Sequence, residues 1–291
     1  MNLIDPKVEL WSEVGVTPEQ HIARCARVCY GHDGEGKDPK RLVESLIKSG
    51  HVSMLRHATC YYAFPPFFDT MCFSPYWTYT KDTNKWRYVS ANLQTLQTQN
   101  ATCVDEKREF SAAEFLEECK KQPELFFAFR LTFCLTTQIS TSRELNRVSP
   151  NNIAERSTRY CSSKDGLEIC TPWWFDEYER EKSKEHEPTN EDWIVLRDKV
   201  EAYSKACENA ESAYVALLAL GAKPQDARGV LPLDTATKVV YTYSVKEWQH
   251  ILELRYYEKT GKAQPNAKLI MGMVRDQIND FAKSHGINYL V

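Results

Sequence analysis

The sequence predicts a single α/β domain over residues 1–291, with helices and strands mixed along the chain. Three observations carry this. Several segments begin with a helix cap and then repeat apolar residues at helical spacing. One stretch, Thr59–Phe64 (TCYYAF), has the aromatic composition of a strand. No internal repeat, low-complexity linker or clear domain boundary divides the chain.

Taken in order, Thr17-Pro18-Glu19-Gln20 is a helix start, with Thr17 at the N-cap and Gln20 placed to close a capping box. Ile22, Cys25, Ala26 and Cys29 then give that helix a buried face. The polar run 31–37 (GHDGEGK) reads as a loop, and a second helix over about 39–49 stops at Gly50. From Pro65 to about residue 102 the chain is aromatic and irregular, because Pro65-Pro66 and Pro75 exclude long regular elements. Residues 92–99 can open a helix. Ser111 caps a better one that reaches Lys121, with Glu114 at its third position. The apolar run 125–137 suits either strand or helix, and periodicity does not decide between them.

Residues 173–192 are charged and loop-rich, and EYEREKSKEHEP within them reads as a solvated segment in which His186 is exposed. A long amphipathic helix follows over about 190–220. Its stripe of Leu196, Val200, Tyr203, Cys207, Ala210, Tyr214, Leu217 and Leu218 is either core or subunit interface. A short helix starts at Lys223-Pro224-Gln225 and ends near Leu231-Pro232. Another covers about 244–257 with Glu247 at its third position, and a last one covers about 266–284.

Composition narrows the class. A net charge of -3 argues against a surface that coats nucleic acid, and 42% hydrophobic residues are those of an ordinary soluble globular protein. No run of 18 or more apolar residues is present to span a membrane, and the opening MNLIDPKVELWSEV, broken by Pro6, lacks the pattern of a secretory leader. Ten cysteines without a CxxC pair or zinc-finger spacing read as reduced thiols, mostly small buried hydrophobes, in a cytoplasmic protein that binds no metal.

The chemistry-bearing stretch is 142–160, SRELNRVSPNNIAERSTRY. Its four arginines, Arg143, Arg147, Arg156 and Arg159, stand among Ser, Asn and Glu just after an apolar run. Guanidinium groups in such a setting suit a phosphate or carboxylate, and the alternative is a solvated loop with ordinary ion pairs. Arg228, Lys238, Arg255 and Lys268 could join Arg147 and Arg159 in an anion pocket for a nucleotide. Ser53 near His51 and His57 hints at nucleophilic catalysis, but no GxSxG elbow surrounds it. Neither a Walker loop nor GxGxxG occurs, which argues against a P-loop NTPase and a Rossmann dehydrogenase.

Several blocks together resemble the flavin-dependent thymidylate synthase family over nearly the whole chain. TPEQHIARCARVCY resembles its opening helix, and Gly50-His51-Val52-Ser53-Met54-Leu55-Arg56-His57 resembles its flavin-side GHxSxxEH segment. Arg147 to Arg159 aligns without gaps to the signature RHRxxSxNExSxR. Ala227-Arg228, Leu231-Pro232, Leu254-Arg255 and Ala263-Gln264 match later blocks in order. The resemblance implies helices packed around a mostly antiparallel sheet, with an aromatic insertion at about 65–100. It also implies a homotetramer with shared active sites. The implied reaction is reductive C5 methylation of dUMP to dTMP, with FAD as cofactor and NADPH and methylenetetrahydrofolate as co-substrates. No nucleic-acid polymer or membrane partner is implied.

Residue by residue, the resemblance places His51, Ser53, Arg56, Glu155 and Arg255 at the cofactor. Arg147 bridges cofactor and nucleotide. Glu144, Glu155, Ser157, Arg159, Lys238 and Lys268 contact the pyrimidine nucleotide, and Arg147, Ser157 and Lys268 are the catalytic candidates. The chain departs from the pattern in four places. RHR is Arg147-Val148-Ser149, and the later Ser and Asn are Asn152 and Ala154. Arg56 replaces a Glu, and AQxEIR has become Ala263-Gln264-Pro265-Asn266-Ala267-Lys268. Lys lacks the bidentate fork of Arg. Arg56 is expected to make up in part for the Arg missing at 149. These changes leave two other readings open: a different C5 product, such as hydroxymethylation, or another pyrimidine nucleotide; and a non-catalytic nucleotide-binding paralogue.

Overall fold

The computed structural model describes residues 1–31, 36, 38–65, 78–79, 86–95, 107–148, 152–163, 166–183 and 191–291. Strands β1 (Asn2–Ile4) and β2 (Lys7–Leu10) precede α1 (Pro18–Val28) and α2 (Pro39–Lys48). A 3₁₀ turn (Val52–His57) leads into β3 (Thr59–Phe64), followed by β4 (Thr78–Tyr79), β5 (Arg87–Asn92), β6 (Arg108–Phe110) and α3 (Ala112–Lys121). After a second 3₁₀ turn (Pro123–Ala128) come β7 (Arg130–Gln138), α4 (Ile139–Asn146), β8 (Ile153–Glu155), β9 (Glu168–Cys170), α5 (Phe175–Lys182) and α6 (Glu191–Ala219). The chain closes with α7 (Pro224–Ala227), a third 3₁₀ turn (Arg228–Val230), β10 (Ala236–Ser244), α8 (Val245–Arg255) and α9 (Pro265–Ser284).

The architecture is mixed α/β with antiparallel sheets, as expected, and the strands divide between two four-stranded sheets. One has the order β2-β7-β10-β8 and the other β4-β5-β3-β6; β1 and β9 add a parallel pair. The first is built on β7 and β10, which stay in register from Ala236 opposite Gln138 to Ser244 opposite Arg130. Alternation sends their side chains to two buried faces. On one face Phe133, Leu135, Val239, Tyr241 and Tyr243 join Trp248 of α8 and Ile270, Met271 and Val274 of α9 in the main core. Each large apolar side chain buried there contributes roughly 2 kcal/mol. Trp248 also satisfies its one polar atom, donating Nε1–H to the Leu131 carbonyl at 3.0 Å. On the other face Cys134, Val240 and Ala154 meet Cys25 and Val28 of α1.

The helix caps fall where sequence chemistry put them. Thr17, Ser111 and Ser244 each take part in a complete capping box, with Gln20, Glu114 and Glu247. Gly50, at φ 75°, lets the chain leave α2 in a conformation that a β-carbon would oppose. The undecided run at 125–137 is both things in turn, a 3₁₀ turn and then β7.

Two expectations change. Arg87–Asn92, within the stretch read as irregular, is a strand paired with β3, and Tyr88, Val89 and Ala91 are buried in it. Asn92 then caps a helical turn at 93–95 through its bond from the Thr95 N–H at 2.9 Å. The charged segment read as solvated loop begins as α5. Phe175 anchors it, and acids in its first turn and bases in its last suit the helix dipole. The strand β10 is covered on both faces and so lacks a clear two-residue period. Most of the 65–100 insertion, the loop at 32–35, the continuation of a helix past 95, and His186 lie outside the described residues.

Candidate active site

The arginine-bearing stretch folds in two pieces: the end of α4 with Arg147 as its C-cap, and β8 with the loop after it. Residues 149–151 between them are outside the described residues. β8 runs beside β10, with Glu155 opposite Val239. The Glu155 Oε1 accepts from the Ser142 hydroxyl of α4 at 2.7 Å and from the Thr237 hydroxyl of β10 at 3.2 Å. Burial pushes its carboxyl above the ordinary value, and the hydroxyl donors pull the other way. The Tyr241 hydroxyl ties α4 to the same sheet by donating to Asn146 Oδ1 at 2.7 Å. Nothing in the sequence marks Ser142 or Thr237, because their role comes from a helix and a strand that meet only in the fold.

Past β8 the loop turns back on α1. The Ser157 N–H donates to the Cys29 carbonyl at 3.0 Å, and the Ser157 Oγ accepts from the Arg159 N–H at 3.2 Å. Arg156 is committed to the fold. Its N–H reaches the Lys238 carbonyl at 2.8 Å and its guanidinium pairs with Glu168 at 3.2 Å. Arg159 is exposed, its guanidinium 5.3 Å from the ring of Tyr160. Arg228 donates to the Thr158 hydroxyl at 3.1 Å. Arg156, Thr158, Glu168 and Thr237 help line a cavity of about 20 Å³, room for about one water and far below the roughly 300 Å³ at which ligand pockets begin. A separate groove of about 470 Å³ between the start of α1, β3 and β6 is lined by none of the expected site residues.

The expected residues other than Lys268 form three groups. Glu155, Ser157, Arg159 and Lys238 lie on β8, the loop after it and the neighbouring strand β10. Glu144 joins Arg147, at 3.0 Å, to Arg255, at 3.8 Å, and the Arg255 Nε–H also donates to the Glu144 carbonyl. His51, Ser53 and Arg56 belong to the first 3₁₀ turn and its cap, which packs against β8 and β10. His51 and Ser53 are exposed, while Arg56 donates Nε–H to Gln94 Oε1 at 2.5 Å. Lys268 is tied to the α8–α9 connection. It pairs at 2.8 Å with Glu258, whose φ of 58° is the left-handed conformation that side chains resist, and so has a structural duty at that turn.

His57 does not serve Ser53. It is fully buried, and its Nδ1 shares a 2.8 Å hydrogen bond with the Thr242 hydroxyl. The Thr242 hydroxyl meets that of Thr132 at 2.8 Å, and Thr132 meets His21 Nε2 at 3.0 Å. Four atoms in line make three bonds. Two hydroxyls supply two protons, so one ring nitrogen donates and the other accepts. Burial, with His21 and Arg130 adding to it, pushes the pKa of His57 down to about 3. The unfolded chain takes up that proton near pH 6.5 and the folded one near 3, so this contribution to stability is full above pH 6.5 and is lost as pH falls. Going from pH 7 to about 4.5 should cost roughly 2–3 kcal/mol through this group alone. Urea midpoints at the two pH values check this: His57→Asn should flatten the slope, and an unchanged slope would refute it.

Most of the described thiols are buried rather than activated. Cys25, Cys119, Cys134, Cys170 and Cys207 are buried, and burial raises the half-buried Cys60 to about 11 and Cys170 to about 12. No described group of three or more His, Cys, Asp or Glu could hold a metal ion, and no described helix is long and apolar enough to cross a membrane.

The sequence model described as thymidylate synthase complementing protein matches residues 78–282, well over half of the chain. The chain belongs to that family, the flavin-dependent thymidylate synthases. A flavin-dependent thymidylate synthase of Haloarcula marismortui is 28% identical over 100 residues, a stretch that spans 28% of this chain and 40% of that protein. Two crystal structures of a UMP/dUMP methylase PolB from Streptomyces cacaoi, bound with 5-Br UMP and with 5-Br dUMP, are 17% identical with a TM-score of 0.45. Each aligns over 98% of this chain and over 93% and 95% of theirs. The donors of this family member fit the anionic, phosphorylated cofactor that the family name implies. Arg147 has 71% of its side chain exposed, and the Ser53 hydroxyl and His51 imidazole lie open on the turn.

Proposed function

We propose that the protein catalyses the reductive C5 methylation of dUMP to dTMP, with methylenetetrahydrofolate as carbon donor, NADPH as reductant and FAD as cofactor. The observation that carries this reading is the family match together with the retained pattern from Glu155 to Tyr160, folded as a strand end and an open loop. The flavin, when bound, supplies the hydride chemistry. The chain's own residues bind and orient. The exposed Arg159 and the hydroxyl of Ser157 take the nucleotide phosphate. Glu155, fixed by two hydroxyls, accepts hydrogen bonds from the base with little reorganisation. Arg147 and Arg255, drawn together by Glu144, offer the bridging cations, and His51, Ser53 and Arg56 face the cofactor. Lys238 borders the nucleotide loop through its carbonyl. Lys268 is carried by the resemblance against its visible pairing with Glu258. In the homotetramer that the family resemblance implies, walls from other copies complete the pocket.

Incubating the purified protein with dUMP, methylenetetrahydrofolate and NADPH, then weighing the nucleotide by mass spectrometry, tests this. A methylated product supports it; an unmodified nucleotide with a flavin-loaded protein overturns it. A hydroxymethylated product, or turnover of another pyrimidine nucleotide only, supports the second reading, which the Val148-Ser149 departure favours. A colourless protein that binds dUMP without turnover points to the non-catalytic paralogue. Arg56→Ala is expected to weaken FAD about tenfold, the loss of one charge-assisted contact; an unchanged titration would show that Arg56 does not replace the missing Arg at 149.

A further inference from the structure

His57 joins two segments that the signature motifs treat separately. It closes the 3₁₀ turn that carries His51, Ser53 and Arg56, and its ring reaches through the sheet face to the Thr242 hydroxyl at 2.8 Å. Thr242 lies opposite Thr132 in the β7–β10 ladder, so its hydroxyl is fixed by the cross-strand partner as well. On its other side Thr242 bonds Asn152 twice through the main chain. The Thr242 N–H donates to the Asn152 carbonyl at 3.3 Å, and Asn152 Nδ2–H donates to the Thr242 carbonyl at 3.1 Å. Asn152 is buried and leads directly into β8, which ends at Glu155. One short path of buried hydrogen bonds therefore runs from the turn through His57, Thr242 and Asn152 to the strand of the caged acid. Buried polar links of this kind fix one arrangement, because a broken link leaves unpaired groups that cost about 1–3 kcal/mol each.

We propose that His57 is a positioning residue that holds the flavin-side turn in register with the nucleotide-side strand, so that filling one half of the site strengthens binding at the other. The inference rests on the flavin and dUMP reading above. It concerns the coupling between the two ligands, which is reciprocal and separable from either affinity alone. A residue with a purely structural role would, on substitution, lower stability or weaken both ligands and leave their mutual enhancement intact.

The test titrates FAD into the full chain with and without saturating dUMP, following flavin fluorescence. In the wild-type protein dUMP should tighten FAD about fivefold or more, the low end of ordinary coupling. Thr242→Val, which removes the hydroxyl at nearly constant shape, and His57→Leu should bring that ratio close to one. His57→Asn, which keeps a polar nitrogen near the Nδ1 position, should restore most of it. A wild-type ratio of one, or a ratio unchanged in a folded Thr242→Val protein, overturns the coupling while leaving the assigned ligands standing. Wild-type protein that binds neither FAD nor dUMP overturns the assigned function and the coupling together.

Discussion

Replacing Glu247 with alanine is expected to destabilise the protein by about 3–5 kcal/mol, the cost of stranding a buried charge. The charge is Arg130, whose side chain is 0% exposed at the start of β7. Its Nη2–H donates to the Thr242 carbonyl at 2.9 Å, and its Nη1 lies 3.6 Å from Glu247 Oε2. The buried Nε and Nη1 make no described hydrogen bond, so the carboxylate is the group that offsets the guanidinium. Glu247 also closes the cap of α8, accepting from the Ser244 N–H at 2.7 Å and its hydroxyl at 2.9 Å. Glu247→Gln separates the two duties, because the amide oxygen can keep the cap while the charge is gone. Most of the loss should persist in it. Adding Arg130→Met to Glu247→Gln should recover much of the stability, since buried pairs are often replaceable by apolar side chains. Urea denaturation reads all three variants, and a loss below about 1 kcal/mol for Glu247→Ala, the range of an exposed ion pair, would show that Arg130 is solvated or paired otherwise.

Arg159→Ala is expected to lower kcat/KM for dUMP by about 10- to 100-fold, mainly through KM, as the loss of one charge-assisted phosphate contact does. The side chain is exposed and its described contact is with the neighbouring Tyr160 ring, so the melting temperature should not move. Arg156→Ala is the contrasting case. That guanidinium pairs with Glu168, and its loss should lower stability with a smaller direct effect on dUMP. Steady-state kinetics beside thermal melts separates the two. Unchanged kinetics for Arg159→Ala would remove it from the nucleotide site, and Arg159→Lys should lie between, keeping the charge without the fork.

Local chemistry was legible where its cause is local. The capping boxes at Thr17, Ser111 and Ser244, the stop at Gly50 and the strand Thr59–Phe64 each depend on residues within a few positions. The blocks around His51 and from Arg147 to Arg159 were legible as family resemblance, and the match over residues 78–282 bears out that family. The three-residue strands β8 and β9 are too short to show a period, and β10 is buried on both faces, so the sheet itself was not readable from its strands.

The sequence by itself determined the capped helices, the family and the cluster of cations near Glu155. Tertiary structure decided which of those cations are already spent. Arg156 goes to Glu168, whereas Arg159 stays exposed; outside that cluster, Lys268 goes to Glu258. It also decided that His57 belongs to Thr242 rather than to Ser53. The two residues of that bond stand 185 positions apart, and only the packing of a turn on the β7–β10 ladder brings them within 2.8 Å. Side-chain partners at such separation are set by the burial of whole elements, and sequence spacing holds no record of them.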